Sequence, residues 1–270
     1  MTREEKVARF RALHAGPRAL VLPNPWDAGS ARVLAGLGYH ALATSSGACA
    51  GVLGRRDGRV SRDEALAHAQ AIVAAVDLPV SADLEKCFAD APREAAETIR
   101  LAAGVGLAGG SIEDASGSKE KPIFDFSQAV ERVAAAAEAA KKAGFVLTAR
   151  TENYLRGRPD LDDTIKRLQA FESAGADVLM APGLPDLEAV RAVCAAVKKP
   201  VNFMAGMRGK SFSVAALEAA GVRRISLATS LYRAAMTGLI AAAREVQEQG
   251  SFGYVERSVA TPELAGYMKE

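Results

Sequence analysis

Cysteine is scarce in this chain: Cys49, Cys87 and Cys194 are its three thiols, odd in number and far apart. That excludes a disulfide framework and a CxxC metal site, and leaves free thiols in a reducing compartment as the expectation. Histidine is as sparse. His14 falls in the first predicted helix, His40 enters the second predicted strand from the wrong end, and His68 lies mid-helix. None reaches the strand ends where a site is expected, so neither a histidine metal centre nor a Ser-His-Asp triad is indicated. No stretch approaches the roughly 20 apolar residues that cross a bilayer. The N-terminus, MTREEKVARFRALHAG, is charged and helical in pattern, which predicts a cytoplasmic protein without a membrane partner. The 34 Lys and Arg and 32 Asp and Glu are interspersed, giving a net charge of +2 with no basic block. Nucleic acid is therefore not expected as a partner, whereas a small anion is. There is no Pro/Ser-rich linker or shift of composition, so residues 1–270 read as one domain.

What the chain does have is a repeated alternation. Short apolar runs alternate with alanine-rich helical segments, the pattern of a parallel sheet. The predicted strands are Ala19–Leu22, Ala41–Thr44, Leu78–Ala82, Gly110–Ile112, Phe145–Ala149, Asp177–Met180, Pro200–Met204 and Arg224–Leu227. Before five of them comes the same phrase: LAGLGYHAL, AAGVGLAGGS, KKAGFVL, ESAGADVL and EAAGVRRIS each place a Gly where a left-handed helix cap is expected. Eight such units over this length predict an α/β closed barrel, with a doubly wound open sheet as the alternative. Ala234–Gln249 reads as the eighth helix, and the tail Gly250–Glu270 as an added amphipathic piece able to dock on a neighbouring subunit.

In such a barrel the chemistry gathers at the C-terminal strand ends. Strand two ends in Thr44-Ser45-Ser46-Gly47, a turn whose hydroxyls and backbone N–H groups suit a carboxylate. Strand three ends at Asp83 with Glu85 two residues on, and strand alternation predicts that both face one side. Helix capping by Asp83 with a solvated Glu85 is the alternative. At Glu113-Asp114, after strand four, one side chain is expected to face the axis and the other the loops. Arg150 ends strand five, where burial demands an anionic partner, either a substrate or Glu113 or Glu152. Carboxylates without histidine point to Mg2+ or Mn2+ rather than Zn2+.

These residues carry a resemblance. From about Leu20 to Leu239 the chain resembles the isocitrate lyase and phosphoenolpyruvate mutase superfamily, through LPNPWDAGSARVL, TSSGACAGVLGRRDG, PVSADLE, IED, LTARTENYLRG, AGADVLMAPG and GVRRISLATS in that order. The resemblance implies a (β/α)8 TIM barrel, a homotetramer in which the C-terminal segment from about residue 234 is exchanged, and a Mg2+ ion (or Mn2+) with a 2-oxo or 2-hydroxy carboxylate. It implies that Asp83 ligates the metal directly and that Glu85 and Glu113 hold its water shell. Asp57, in LGRRDG, matches a loop Asp that orders the metal site and closes over substrate. Ser45, Ser46 and Gly47 match the turn gripping the substrate carboxylate, and Arg150 the arginine that reaches substrate. Metal and Arg150 would then stabilise an enolate.

The loop after Glu113-Asp114 departs from the family. It reads ASGSKEKPIF, without the Lys-Lys/Arg-Cys-Gly-His signature of the isocitrate and methylisocitrate lyases and without the Asn of the mutases. Lys119 and Lys121 are candidate loop electrophiles, and Cys87 in LEKCF is a superficial match to the missing signature. Lys86 is the one candidate for a Schiff-base lysine, and alternation predicts that it faces away. The expected activity is cleavage of a carbon-carbon bond beside a 2-oxo or 2-hydroxy carboxylate, as in oxaloacetate decarboxylation or substituted-malate and methylisocitrate cleavage. The alternatives are phosphonopyruvate hydrolysis or mutase chemistry and a non-catalytic carboxylate-binding barrel. Trp26, Asn153, Pro182, Asn202 and Met204 are the expected wall residues, and AGMRGKS is a candidate phosphate loop.

Overall fold

A computed structural model describes residues 1–268. Among these residues the strands are β1 (Leu20–Leu22), β2 (Leu42–Ala43), β3 (Val80–Ala82), β4 (Gly109–Glu113), β5 (Val146–Arg150), β6 (Val178–Met180), β7 (Val201–Met204) and β8 (Arg224–Ser226). All pair in parallel, in the order β1-β8-β7-β6-β5-β4-β3-β2. Across the remaining seam the Ala43 N–H donates to the Pro23 carbonyl at 3.0 Å and the Asn24 amide to the Thr44 carbonyl at 2.8 Å. The sheet thus closes into a (β/α)8 TIM barrel, as the alternation predicts, and not into an open doubly wound sheet.

The helices are α1 (Arg3–His14), α2 (Ala28–Gly36), α3 (Ser46–Val52), α4 (Arg62–Ala75), α5 (Pro92–Gly104), α6 (Phe126–Ala143), α7 (Leu161–Ser173), α8 (Leu187–Ala196), α9 (Val214–Ala219), α10 (Ser230–Gln249) and α11 (Thr261–Gly266). Capping boxes at Thr2/Glu5 and Ser61/Glu64 start α1 and α4 by satisfying otherwise unpaired N–H groups. The recurrent glycines Gly38, Gly106, Gly144, Gly175 and Gly221 all take φ between 58° and 106°, the left-handed cap that their phrases predict. Helix α10 begins four residues earlier than the sequence indicates, because Ala228 turns the chain at φ 49° directly after β8.

Two apolar layers flank the sheet. Between strands and helices lies a large cluster that includes Leu42, Ile99, Phe145, Phe171 and Ile225. Inside the barrel, at its N-terminal end, Val7 and Phe10 of α1 pack with Leu20, Leu22, Ala43, Val146 and Val178 to form a plug. Burying Phe10 there contributes about 2 to 3 kcal/mol. The plug closes one end, so the open end of the barrel is the end where the strands finish. In the tail, α10 buries none of its residues, while the Tyr267 ring lies against Gly36 of the same chain. Lys269 and Glu270 of the expected C-terminal segment lie outside the described residues.

Candidate active site

Several elements bring charge to one cavity of about 400 Å³ at the C-terminal ends of the strands. Asp83 follows β3. Its N–H donates to Thr44 Oγ1 at 3.2 Å, Oδ2 accepts from the Ser46 N–H at 3.2 Å, and Oδ1 accepts from the Glu85 N–H at 3.2 Å. Ser111 Oγ on β4 lies at 3.5 Å from Oδ1. Neighbouring elements on both sides therefore aim this carboxylate into the cavity.

Glu85 also lines the cavity, for a reason the sequence reading did not contain. Strand β3 stops at Ala82 and Glu85 takes φ 50°, so strand alternation does not operate; a left-handed backbone turns Glu85 back toward Asp83. Lys86 leaves the site, donating to Asp90 at 2.5 Å and to the Ser116 carbonyl at 2.9 Å.

Glu113 and Arg150 are register partners on β4 and β5, with Nε and Oε2 3.5 Å apart. Arg150 also pairs with Glu152, and Arg156 reaches Glu152 at 3.2 Å and Glu113 at 3.5 Å. Burial works to lower the pKa of Arg150, but Glu113, Glu152 and Asp83 outweigh it and hold the guanidinium charged. Burial pushes the Glu113 carboxyl up, against the pull of Arg150. Burial, with Asp83 and Asp57 nearby, pushes the Glu85 carboxyl up to about 7. As expected, Asp114 faces the other way, accepting from Arg167 at 3.1 Å, Thr151 Oγ1 at 3.1 Å and the Glu152 N–H at 2.8 Å.

The remaining candidates divide. Ser45 and Ser46 line the cavity, but they begin helix α3 rather than a free turn, and Ser45 Oγ meets Thr229 Oγ1 at 2.8 Å. Gly47 sits just behind, where a Cβ would come within 3.0 Å of Thr229 Oγ1 and 3.4 Å of Asp57 Oδ2. Asp57, Asn202 and Met204 line the cavity. Trp26 does not: its ring packs edge-on against Tyr232 at 5.7 Å and its carbonyl accepts from His68 Nε2 at 2.8 Å, because the chain after β1 bends outward toward α4 and α10. Asn153 is likewise drawn away, donating to Asp163 at 2.8 Å, and Pro182 is outside the lining. In the AGMRGKS loop Gly206 and Met207 line the rim. The sequence reading missed Arg156, Thr229 and Arg224, although all three stand inside its quoted motifs LTARTENYLRG and GVRRISLATS.

No group of three or more Asp, Glu, His or Cys residues at mutual metal-ligand spacing occurs among the described residues. Three carboxylates on one cavity, Asp83, Glu85 and Glu113, without a histidine, are the donor type of a hard cation that keeps most of its water and takes one or two carboxylates.

A match to the phosphoenolpyruvate phosphomutase family model covers residues 10–247. The chain belongs to this family. The 2-methylisocitrate lyase of Escherichia coli K12 is 30% identical over 71% of this chain and 67% of its own length. A crystal structure from Burkholderia cenocepacia J2315, described as a lyase/mutase, superposes with a TM-score of 0.96 at 48% identity over 98% of this chain and 96% of that one. A 2,3-dimethylmalate lyase structure superposes with a TM-score of 0.86 at 26% identity over 99% and 95%.

In this family member the divergent loop is built as a hairpin, closed by an antiparallel bridge between Ala115 and Ile123. Lys121 pairs with Asp125, and neither it nor Lys119 lines the cavity. Cys87 is buried beneath the site with its thiol pushed up to about 12 by burial, which makes it inert.

Proposed function

We propose that the protein is a divalent-cation-dependent lyase that cleaves a carbon-carbon bond beside a 2-oxo or 2-hydroxy carboxylate through an enolate. One observation carries this reading: Asp83, Glu85, Glu113 and Arg150 converge on one cavity at the open end of the barrel. The relatives named as 2-methylisocitrate and 2,3-dimethylmalate lyases support the substrate class.

Asp83 would hold Mg2+ or Mn2+ directly, with Glu85 and Glu113 on its water shell. The fit rests on crowding, since Glu85 is held near neutrality by burial and neighbouring carboxylates, a repulsion that a dication relieves. When bound, the cation supplies positive charge to the substrate oxygens. Ser45 and Ser46, with hydroxyl and N–H groups at the mouth of α3, would bind the carboxylate. Arg150 would face the oxygen that gains charge as the bond breaks, and Glu113 and Glu152 keep it fixed and ionised. Asp57, on an exposed loop at the rim, would close over the ligand. Residues 1–270 would form one domain of a cytoplasmic homotetramer, with α10, none of whose residues is fully buried in its own chain, exchanged between subunits.

The test is a Mg2+-dependent screen of oxaloacetate, substituted malates, 2-methylisocitrate and phosphonopyruvate, followed by pyruvate release in wild type, Asp83→Ala and Arg150→Ala. Pyruvate from a carbon acid, lost in both variants, is expected. Phosphate released from phosphonopyruvate alone would move the protein to phosphorus-carbon chemistry, and no turnover with no oxalate binding would remove the lyase reading.

A further inference from the structure

Below the carboxylates the cavity continues into the barrel and ends on a polar floor. Arg224, the first residue of β8, extends across the interior so that Nη1 donates to Thr148 Oγ1 on β5 at 2.9 Å. It lines the cavity and is 5% exposed. It makes no ion pair with a carboxylate among the described residues, and its buried Nε has no hydrogen-bond partner. Asn202, its register partner on β7, donates to Ser226 Oγ at 3.0 Å and leaves its own buried carbonyl oxygen without a partner. Phe10 of the plug closes the floor from beneath, its ring centre 5.8 Å from the guanidinium carbon.

A second buried arginine shows what is unusual here. Arg132 also lacks a carboxylate, but its guanidinium is met by the carbonyls of Lys86, Ala89 and Asp90 at 2.5 to 2.9 Å. Arg224 has one hydroxyl in their place. Burial draws its pKa down to about 10, which leaves it charged at neutral pH. His14 on the far side of the plug is held neutral, since burial and then Arg224 itself lower its pKa to about 4. A charged guanidinium in a low-dielectric pocket with donor capacity to spare is a site for an anion.

We propose that the Arg224 guanidinium, with the hydroxyls of Thr148 and Ser226, forms a subsite for a carboxylate-sized monoanion at the floor of the cavity, beside Asn202 and separate from the position of Arg150. Thr148 and Arg150 are two residues apart on β5, so the subsite lies roughly 6.6 Å deeper along the strand. The anion is either the far carboxylate of a two-acid substrate or a free ion. The first source rests on the lyase reading and the second does not.

The test is calorimetric titration of sodium formate into full-length protein freed of divalent cations, compared among wild type, Arg224→Gln and Asn202→Asp. Saturable binding to wild type is expected, at least tenfold weaker in Arg224→Gln. Asn202→Asp places a carboxylate beside the guanidinium and is expected to abolish formate binding while raising Tm, which keeps the test open if Arg224→Gln does not fold. Absence of binding to wild type, or equal binding in wild type and a folded variant, overturns the subsite. With Mg2+ added, displacement of formate by malate but not lactate identifies the far carboxylate as the source. Displacement by neither identifies a free anion, and displacement by both places formate at Arg150 and overturns the assignment. Because every arm reads binding, the result stands whether or not the protein turns over a substrate.

Discussion

Arg150 stands opposite Glu113 in the β4–β5 register, and their side chains meet at 3.5 Å inside the barrel mouth. The pair fixes the guanidinium at the cavity, with Arg150 held between the buried carboxylates of Glu113 and Glu152.

Arg150→Lys is expected to keep a positive charge but lose the planar fork, and to lower kcat by about 10²-fold in the assay that detects turnover. Arg150→Ala should do more, because Glu113 and Glu152 lose a buried partner; a fall in Tm beside the lost rate is the expected signature.

Asp83→Ala is expected to weaken Mn2+ binding by at least about tenfold, read by calorimetry without substrate. Unchanged Mn2+ affinity would show that Asp83 is not the ligand.

Glu85 sets a pH dependence. Its carboxyl is raised from 4.5 to about 7, so between these values the folded protein holds a proton that the unfolded chain has released. In cation-free buffer its contribution to stability is therefore lost as pH rises through that window. A dication must displace the same proton, so Mn2+ affinity should fall by about tenfold per pH unit below 7. Glu85→Gln should flatten both trends.

His14 acts with the opposite sign. Burial lowers it to about 4, so it stays neutral in the fold while the unfolded chain takes up a proton near 6.5. Stability present above pH 6.5 is lost as the pH falls toward 4, by roughly 3 kcal/mol at the limit. Urea midpoints measured from pH 7 to 4 should show the loss, and His14→Phe should reduce it.

Asp114 and Arg167 form a buried pair at 3.1 Å outside the cavity. Removing one partner, as in Arg167→Met, is expected to cost about 3 to 5 kcal/mol of unfolding free energy, and Asp114→Leu in the same chain to restore part of it.

Much of this was legible in the residue order. Apolar runs and five glycine phrases located every strand within a few residues, because hydrophobic periodicity and left-handed caps are local properties. The strand-end location of Asp83, Glu113 and Arg150 followed from that alternation. Trp26 did not follow, since the direction in which a chain leaves a strand depends on what packs against it.

By itself the sequence determined the barrel, its open end and the identity of the charges gathered there, since these depend on spacings of a few residues. Only the tertiary structure decided how those charges are partnered. Glu85 enters the site through a positive φ that no strand rule contains, Arg156 reaches Glu113 across 43 positions, and Arg224 reaches Thr148 across 76. Closing the barrel places strands distant in the chain on opposite sides of one narrow interior, and burial there sets what each side chain must find as a partner.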